Sequence, residues 1–210
     1  MLITSRAGAC MKEQHIFISP KQLKTRGLMI KQAMQLYAQG FEPSVAEVAA
    51  QAGVSRATAY RYFPTQSALV AAMVEESLGP VMNWEPEEDG ARERILSLFG
   101  HAWPRIFMHE GVLRSALKVS LEQWAKNNDG NLQDILKRGN RIRLLRKATQ
   151  PLERALSAEN YEKLIMSLAV IYGTEALVVL KDIGGGSNDE VAKITEWMAM
   201  AVLEKALKEL

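Results

Sequence analysis

The chain holds a single cysteine, Cys10, in 210 residues. That excludes a disulfide framework and any thiolate cage for a metal within one chain. Glycine and proline are sparse, at 14 and 7 residues, which excludes collagen-like and low-complexity classes. Uninterrupted apolar runs last only a few residues, as in 176–180, far short of the ~20 a membrane-spanning helix needs. No membrane association is expected. Residues 1–19 carry Arg6 and Lys12 but no sustained apolar stretch, so no secretory leader is read there and the cytoplasm is the expected location. The signatures of an enzyme are also missing: there is no G-x-x-x-x-G-K-[ST] loop, no H-E-x-x-H pair and no cluster of His with Asp or Glu. No catalytic residue, metal or cofactor is expected. What remains, 48% apolar and 24% charged, suits one large globular domain or two small ones.

The formal net charge of +2 conceals an asymmetry. Residues 1–66 carry eight Lys or Arg against three Glu, a net of +5, and the rest of the chain nets −3. The front third is therefore the candidate for binding a polyanion.

Apolar residues recur at helical spacing almost throughout, and no stretch alternates as a strand would, so the fold class is all-α. Residues 1–19 show no periodicity and are expected to form a flexible N-terminal arm, unless the chain starts at Met11. A first helix opens at Pro20 and carries the stripe Ile30, Ala33, Met34, Tyr37 before Gly40 closes it. Ser44 and Glu47 form a capping-box pattern for a second helix ending near Ala52. Gly53 then turns the chain, Ser55 caps a third helix through Tyr62, and a fourth runs over 66–77. Gly79-Pro80 and the acidic stretch 85–90 mark a linker over 79–90 between a head, 20–78, and a body, 91–210. Body helices are predicted up to a kink or end at Pro104, over 112–126, over 132–149 after a turn at 127–130, over 158–183 without a break, and over 189–209.

Segment 44–63 has the pattern of a helix-turn-helix. Ala49, Ala50 and Ala52 are small where two short helices must cross, and Gly53 tolerates the positive φ of a tight turn. Val45, Val48 and Val54 are expected to face a shared core with Ala59 and Phe63, leaving Arg56, Thr58, Tyr60, Arg61 and Tyr62 outside. An arginine can grip a guanine edge through two hydrogen bonds, while hydroxyls and helix N-termini hold phosphates. An ordinary helical hairpin needs no such polar second helix.

The residues from Arg26 through Ala33, Gly40, Val48-Ala49, Ala52-Gly53-Val54-Ser55, Thr58, Tyr60, Tyr62-Phe63 and Leu69 resemble the N-terminal domain of TetR-type transcriptional regulators. The resemblance covers about fifty residues. It implies a three-helix DNA-binding head and a fourth helix leading to a helical effector-binding and dimerisation body. It implies too a homodimer on double-stranded operator DNA, commonly a repressor, released by a small-molecule effector. Carried over position by position, Ser44, Ser55, Thr58, Tyr60 and Tyr62 match residues that touch phosphate or sugar, and Arg56, Ala57 and Arg61 residues that face bases. Two departures stand out: Gln66 replaces a frequent lysine and weakens a phosphate contact, and Ala57 replaces a frequent glycine, offering a methyl to thymine. The competing classes are a helical protein-interaction module and an all-helical enzyme without a recognisable motif.

In the body, Phe99, Trp103, Phe107, Leu117, Leu121, Trp124, Met166 and Val170 are the candidate walls of an effector pocket. The last two predicted helices are apolar on more than one face, as in a four-helix intersubunit bundle. Leu164, Leu168, Tyr172, Glu175, Val179, Ile194, Trp197, Met198, Ala201 and Val202 are the candidate dimer contacts. Glu175 reads as a satisfied core carboxylate, a ligand contact or an intersubunit partner. His101 and His109 read as surface or pocket histidines, and the basic run Arg138, Arg141, Arg143, Arg146, Lys147 as a solvated helix face.

Overall fold

A computed structural model describes residues 19–126 and 140–209. The arm before Ser19, the turn at 127–130, Arg138 and the first part of the helix predicted over 132–149 lie outside the described residues. The head consists of α1 (Pro20–Ala38), α2 (Val45–Gln51) and α3 (Arg56–Tyr62), followed by α4 (Gln66–Met82). The body comprises α5 (Ala91–Met108), α6 (Glu110–Lys126), α7 (Asn140–Thr149), α8 (Ala158–Ile171), α9 (Thr174–Val178) and α10 (Asn188–Leu207). No strand occurs among the described residues. Among them, too, no single helix is long and apolar enough to cross a membrane.

Side chains set the helix starts. Ser19, Ser44 and Ser187 each close a capping box with Gln22, Glu47 and Glu190. Ser55, Thr65 and Ser157 cap α3, α4 and α8 through one hydrogen bond to a backbone N–H. Each such cap is worth roughly 1 kcal/mol.

Three breaks differ from expectation. Gly79-Pro80 does not end α4, which continues to Met82. Pro80 has no N–H for the Glu76 carbonyl. Arg105 of α5 replaces it, its guanidinium reaching the carbonyls of Glu76 at 3.5 Å and Ser77 at 2.7 Å. Pro104 likewise stays inside α5, leaving without its helical donor only the carbonyl of exposed Gly100. Conversely, 158–183 is not one helix. Tyr172 is extended and Gly173 has φ +140°, so the chain breaks there, resumes as α9 and ends in a wide π-type turn, Val179–Ile183.

Gly173 is required twice over. A Cβ at that position would lie 2.6 Å from the Arg141 guanidinium carbon, in a backbone region that side chains rarely adopt. Gly173→Ala is expected to destabilise the body by about 1–3 kcal/mol from backbone strain alone, read as a lowered thermal midpoint with the head's DNA surface unchanged.

Two cores are built, and α6 belongs to both. The head core joins Met29, Ile30, Ala33, Val48, Ala59, Phe63, Leu69 and Met73 to Val112, Ala116 and Val119 of α6. The body core takes Leu113 from the same helix, with α5, α7, α8 and α10 around it. The expected division at 79–90 therefore separates the chain in sequence only. The last turn of α4 occupies the first residues of that linker, and the head is closed by a body helix.

The body core also corrects the expected pocket. Phe99 and Trp103 are fully buried; Phe99 stacks on Tyr172 at 5.1 Å and Trp103 on half-buried Phe107 at 5.3 Å. They are core rather than cavity wall. Leu121, Trp124, Met166 and Val170 point outward, Trp124 being 78% exposed. Leu164 and Leu168, expected at a dimer face, fill the protomer's own core, as does Tyr172. On a helix with two apolar stripes, periodicity identifies the stripes but not which one its own protomer covers.

Candidate nucleic-acid interface

α2 and α3 present the polar surface of the head. Val45, Val48 and Ala49 bury one face of α2 and Ala59 one face of α3, with Phe63 beneath and Val54 half-buried between them. Gly53, at φ +65°, makes the turn. Fixed on that core, α3 turns Arg56, Ala57, Tyr60 and Arg61 to solvent, with Thr58 and Tyr62 half-buried. The Arg61 guanidinium lies over the Tyr62 ring at 5.7 Å. A flat cation held against an aromatic face is presented outward with less freedom to lose on contact.

The hydroxyls expected on phosphate serve the helix starts first. Ser55 accepts from the Thr58 N–H and donates to the Thr58 hydroxyl at 2.9 Å. Ser44 accepts from the Glu47 N–H and donates to Glu47 Oε2 at 2.7 Å. Hydrogen bonds from the Ser44 backbone and side chain hold the Glu47 carboxyl below its ordinary value, so an ionised carboxylate stands beside one of the expected phosphate contacts. Glu47 was legible as a cap, but not as an electrostatic opponent of DNA. Glu42, the other acid in the described head before α4, is neutralised by Lys118 of α6 at 2.9 Å. Gln66 departs from its expected role: its amide donates to the Pro43 carbonyl at 2.9 Å and ties the start of α4 to the start of α2.

Residues 29–73 match the family model described as bacterial regulatory proteins, tetR family. The chain belongs to the tetR family. The match spans the head core and the whole helix-turn-helix, so it falls on the residues that build the DNA surface. The fold of the full chain is that of solved tetR-family structures. It overlays on a TetR transcriptional regulator from Rhodococcus sp. RHA1 with TM-score 0.60 at 16% identity, covering 87% of this chain and 97% of that one. It also overlays on a tetR-family transcriptional regulator from Streptomyces coelicolor with TM-score 0.61 at 17% identity, covering 89% and 90%. A search of curated proteins found no match.

The body of this tetR-family regulator contains a cavity of about 110 Å³ between α4, α5, α6, α7 and the break before α9. Of the residues expected in a pocket only Leu117 lines it; Tyr172, expected at a dimer face, does so as well. The basic run is not a solvated face. Arg141 pairs with Glu175, Arg146 with Glu162, and Lys147 with Glu85, while Arg143 donates to the Met82 carbonyl at 3.2 Å. Of the alternatives for Glu175, the pairing within the protomer is the one present. His101 is exposed near the Pro80 carbonyl. His109 is half-buried, and desolvation together with Arg105 lowers its pKa.

The joint between head and body was not legible in the sequence. The Tyr37 hydroxyl and Ser115 hydroxyl meet at 3.0 Å in a buried contact between α1 and α6. At its N-terminal end, α6 is clasped to the π-type turn. Arg114 grips Asp182 through two bonds of 2.7 Å, and Lys181 reaches Glu110 at 2.6 Å.

Proposed function

We propose that this tetR-family regulator is a cytoplasmic repressor that binds palindromic operator DNA as a homodimer and releases it when a small molecule occupies the body cavity. The observation that carries the DNA-binding part is α3 itself. It exposes Arg56, Tyr60 and Arg61 on a buried scaffold of Val45, Val48, Ala59 and Phe63. The contacts proposed for phosphate are Ser44, Ser55, Thr58, Tyr60 and Tyr62, with Gln66 acting through Pro43, and those for bases Arg56, Ala57 and Arg61. A homodimer is favoured by the outer faces of α8 and α10, where Met166, Val170, Ile194, Trp197 and Met198 stand exposed together.

Ligand response is favoured by shared walls. Val74 and Leu78 of α4 and Leu113 and Leu117 of α6 line the cavity, while Leu69, Val70 and Met73 of α4 and Val112, Ala116 and Val119 of α6 lie in the head core. A molecule that moves these walls moves the head, because close-packed interiors transmit displacement instead of absorbing it.

In a gel-shift titration against the chain's own upstream region, the dimer is expected to select half-sites about one helical turn apart. The logarithm of its affinity is expected to fall linearly with the logarithm of salt, with slope about −0.9 per phosphate neutralised. Binding that ignores salt, or that random duplex competes away equally, would remove the DNA-binding reading and leave a protein-interaction module.

A further inference from the structure

The cavity has one polar end in otherwise apolar walls. Val74, Leu78, Ile106, Leu113, Leu117 and Leu144 supply aliphatic surface, and no Asp or Glu lines the space. At the other end stand Arg141 and Tyr172. Arg141 spends one N–H on the Ala169 carbonyl at 3.1 Å and another on Glu175. The guanidinium has five N–H donors and no acceptor, so donors remain for a further partner. Gly173, lacking a side chain, lets that guanidinium pack against the chain break. The Tyr172 hydroxyl sits in a residue only 4% exposed and makes no hydrogen bond among the described residues. Burial raises its pKa, so it stays a neutral donor. Both groups offer protons and call for an acceptor.

The charge decides which acceptor. In the Arg141–Glu175 pair the arginine side chain is 23% exposed and the glutamate 40%, so the cation lies deeper and borders the cavity while its counter-ion faces out. An ammonium entering the space would meet Arg141 with no wall carboxylate to receive it. A carboxylate would gain charge-assisted hydrogen bonds that a neutral acceptor cannot match. The volume sets the size, since an apolar cavity of about 150 Å³ takes a benzene molecule. Resting on the proposal that this cavity is the effector site, we infer that the effector is a small monocarboxylate with one short alkyl chain or one ring, its carboxylate held by Arg141 and the Tyr172 hydroxyl and its apolar body lying among Leu78, Leu113, Leu117 and Leu144.

The test uses the full-length protein and three probes sharing one chain: hexanoate, hexan-1-ol and hexylamine, titrated by calorimetry and by thermal shift. Hexanoate is expected to bind at least tenfold tighter than the alcohol or the amine. Arg141→Gln is expected to reduce hexanoate to the level of the alcohol and leave the alcohol unchanged. Glu175→Gln, which removes the competing carboxylate, is expected to tighten hexanoate several-fold; a merely structural role for the pair would not raise affinity. Leu117→Trp, which fills the cavity, is expected to abolish binding. Alcohol or amine binding as tight as hexanoate, or a Glu175→Gln variant that binds hexanoate no better, overturns the carboxylate assignment, and loss of the remaining binding in Leu117→Trp then leaves the cavity as the ligand site. Binding of none of the three overturns the assignment outright. If hexanoate binds through Arg141 but does not release operator DNA, the ligand class stands and the ligand-responsive reading fails.

Discussion

Arg56→Ala and Arg61→Ala are each expected to reduce operator affinity by about 1–3 kcal/mol per bidentate base contact, counted twice because a two-headed dimer loses the contact in both half-sites. The double variant is expected to bind operator hardly better than random DNA. Both side chains are exposed on α3, and neither is held in an ion pair among the described residues, so no internal partner is lost with them. Exposed substitutions of this kind shift folding stability by less than about 0.5 kcal/mol, so the thermal midpoint should not move. The diagnostic is selectivity. A gel-shift panel over single-base operator variants should show preference relaxing only at the positions each arginine reads, whereas Tyr60→Ala should weaken all duplexes alike, because phosphate contacts position the protein without reading sequence. Arginine variants that keep the parental base preference would remove α3 from the recognition role.

Much of that head was legible because its determinants are local. Ser44 with Glu47, Gly53 and Ser55 act on backbone groups within four residues, and the structure forms each as the spacing predicts. The body was less legible because its determinants are pairwise and distant. Nothing near Pro80 in sequence reveals that Arg105 caps the carbonyls around it, so a helix-stopping dipeptide was read as a domain boundary. Nothing in the spacing of Val178 and Val179 shows that Gly173 has already broken the helix against Arg141. The expected pocket failed for a related reason. Large apolar residues at helical spacing identify a stripe, and Phe99 and Trp103 turned out to meet Tyr172 in the core while Met166 and Val170 faced away from it. The polar residues of the cavity, Arg141 and Tyr172, had been assigned to a solvated face and to a dimer contact.

Trp197→Glu is expected to convert the protein from dimer to monomer and, through that loss, to reduce operator affinity by orders of magnitude. α8 and α10 pack side by side. Leu164, Ile165 and Leu168 of one and Val191, Thr195, Ala199 and Leu203 of the other turn inward. Their outer faces retain Val170 at 71% exposure and Trp197 at 73%, with Met166, Ile194, Met198 and Ala201 between them. An exposed apolar patch shared by two adjacent helices is costly in water, and a second copy across a two-fold axis covers both patches with one set of residues, making a four-helix bundle. Half-buried Val202 and exposed Val179 border the same face. A glutamate at position 197 would face its own symmetry mate's contacts, and a buried unpaired charge costs about 3–5 kcal/mol. Because Trp197 is already exposed within one protomer, the variant's helical content should be unchanged, so circular dichroism separates dissociation from unfolding. Sedimentation velocity should then show a species of half the mass, and Val170→Glu should reproduce it from the other helix. A Trp197→Glu protein that sediments as a dimer would place the homodimer interface elsewhere on the chain.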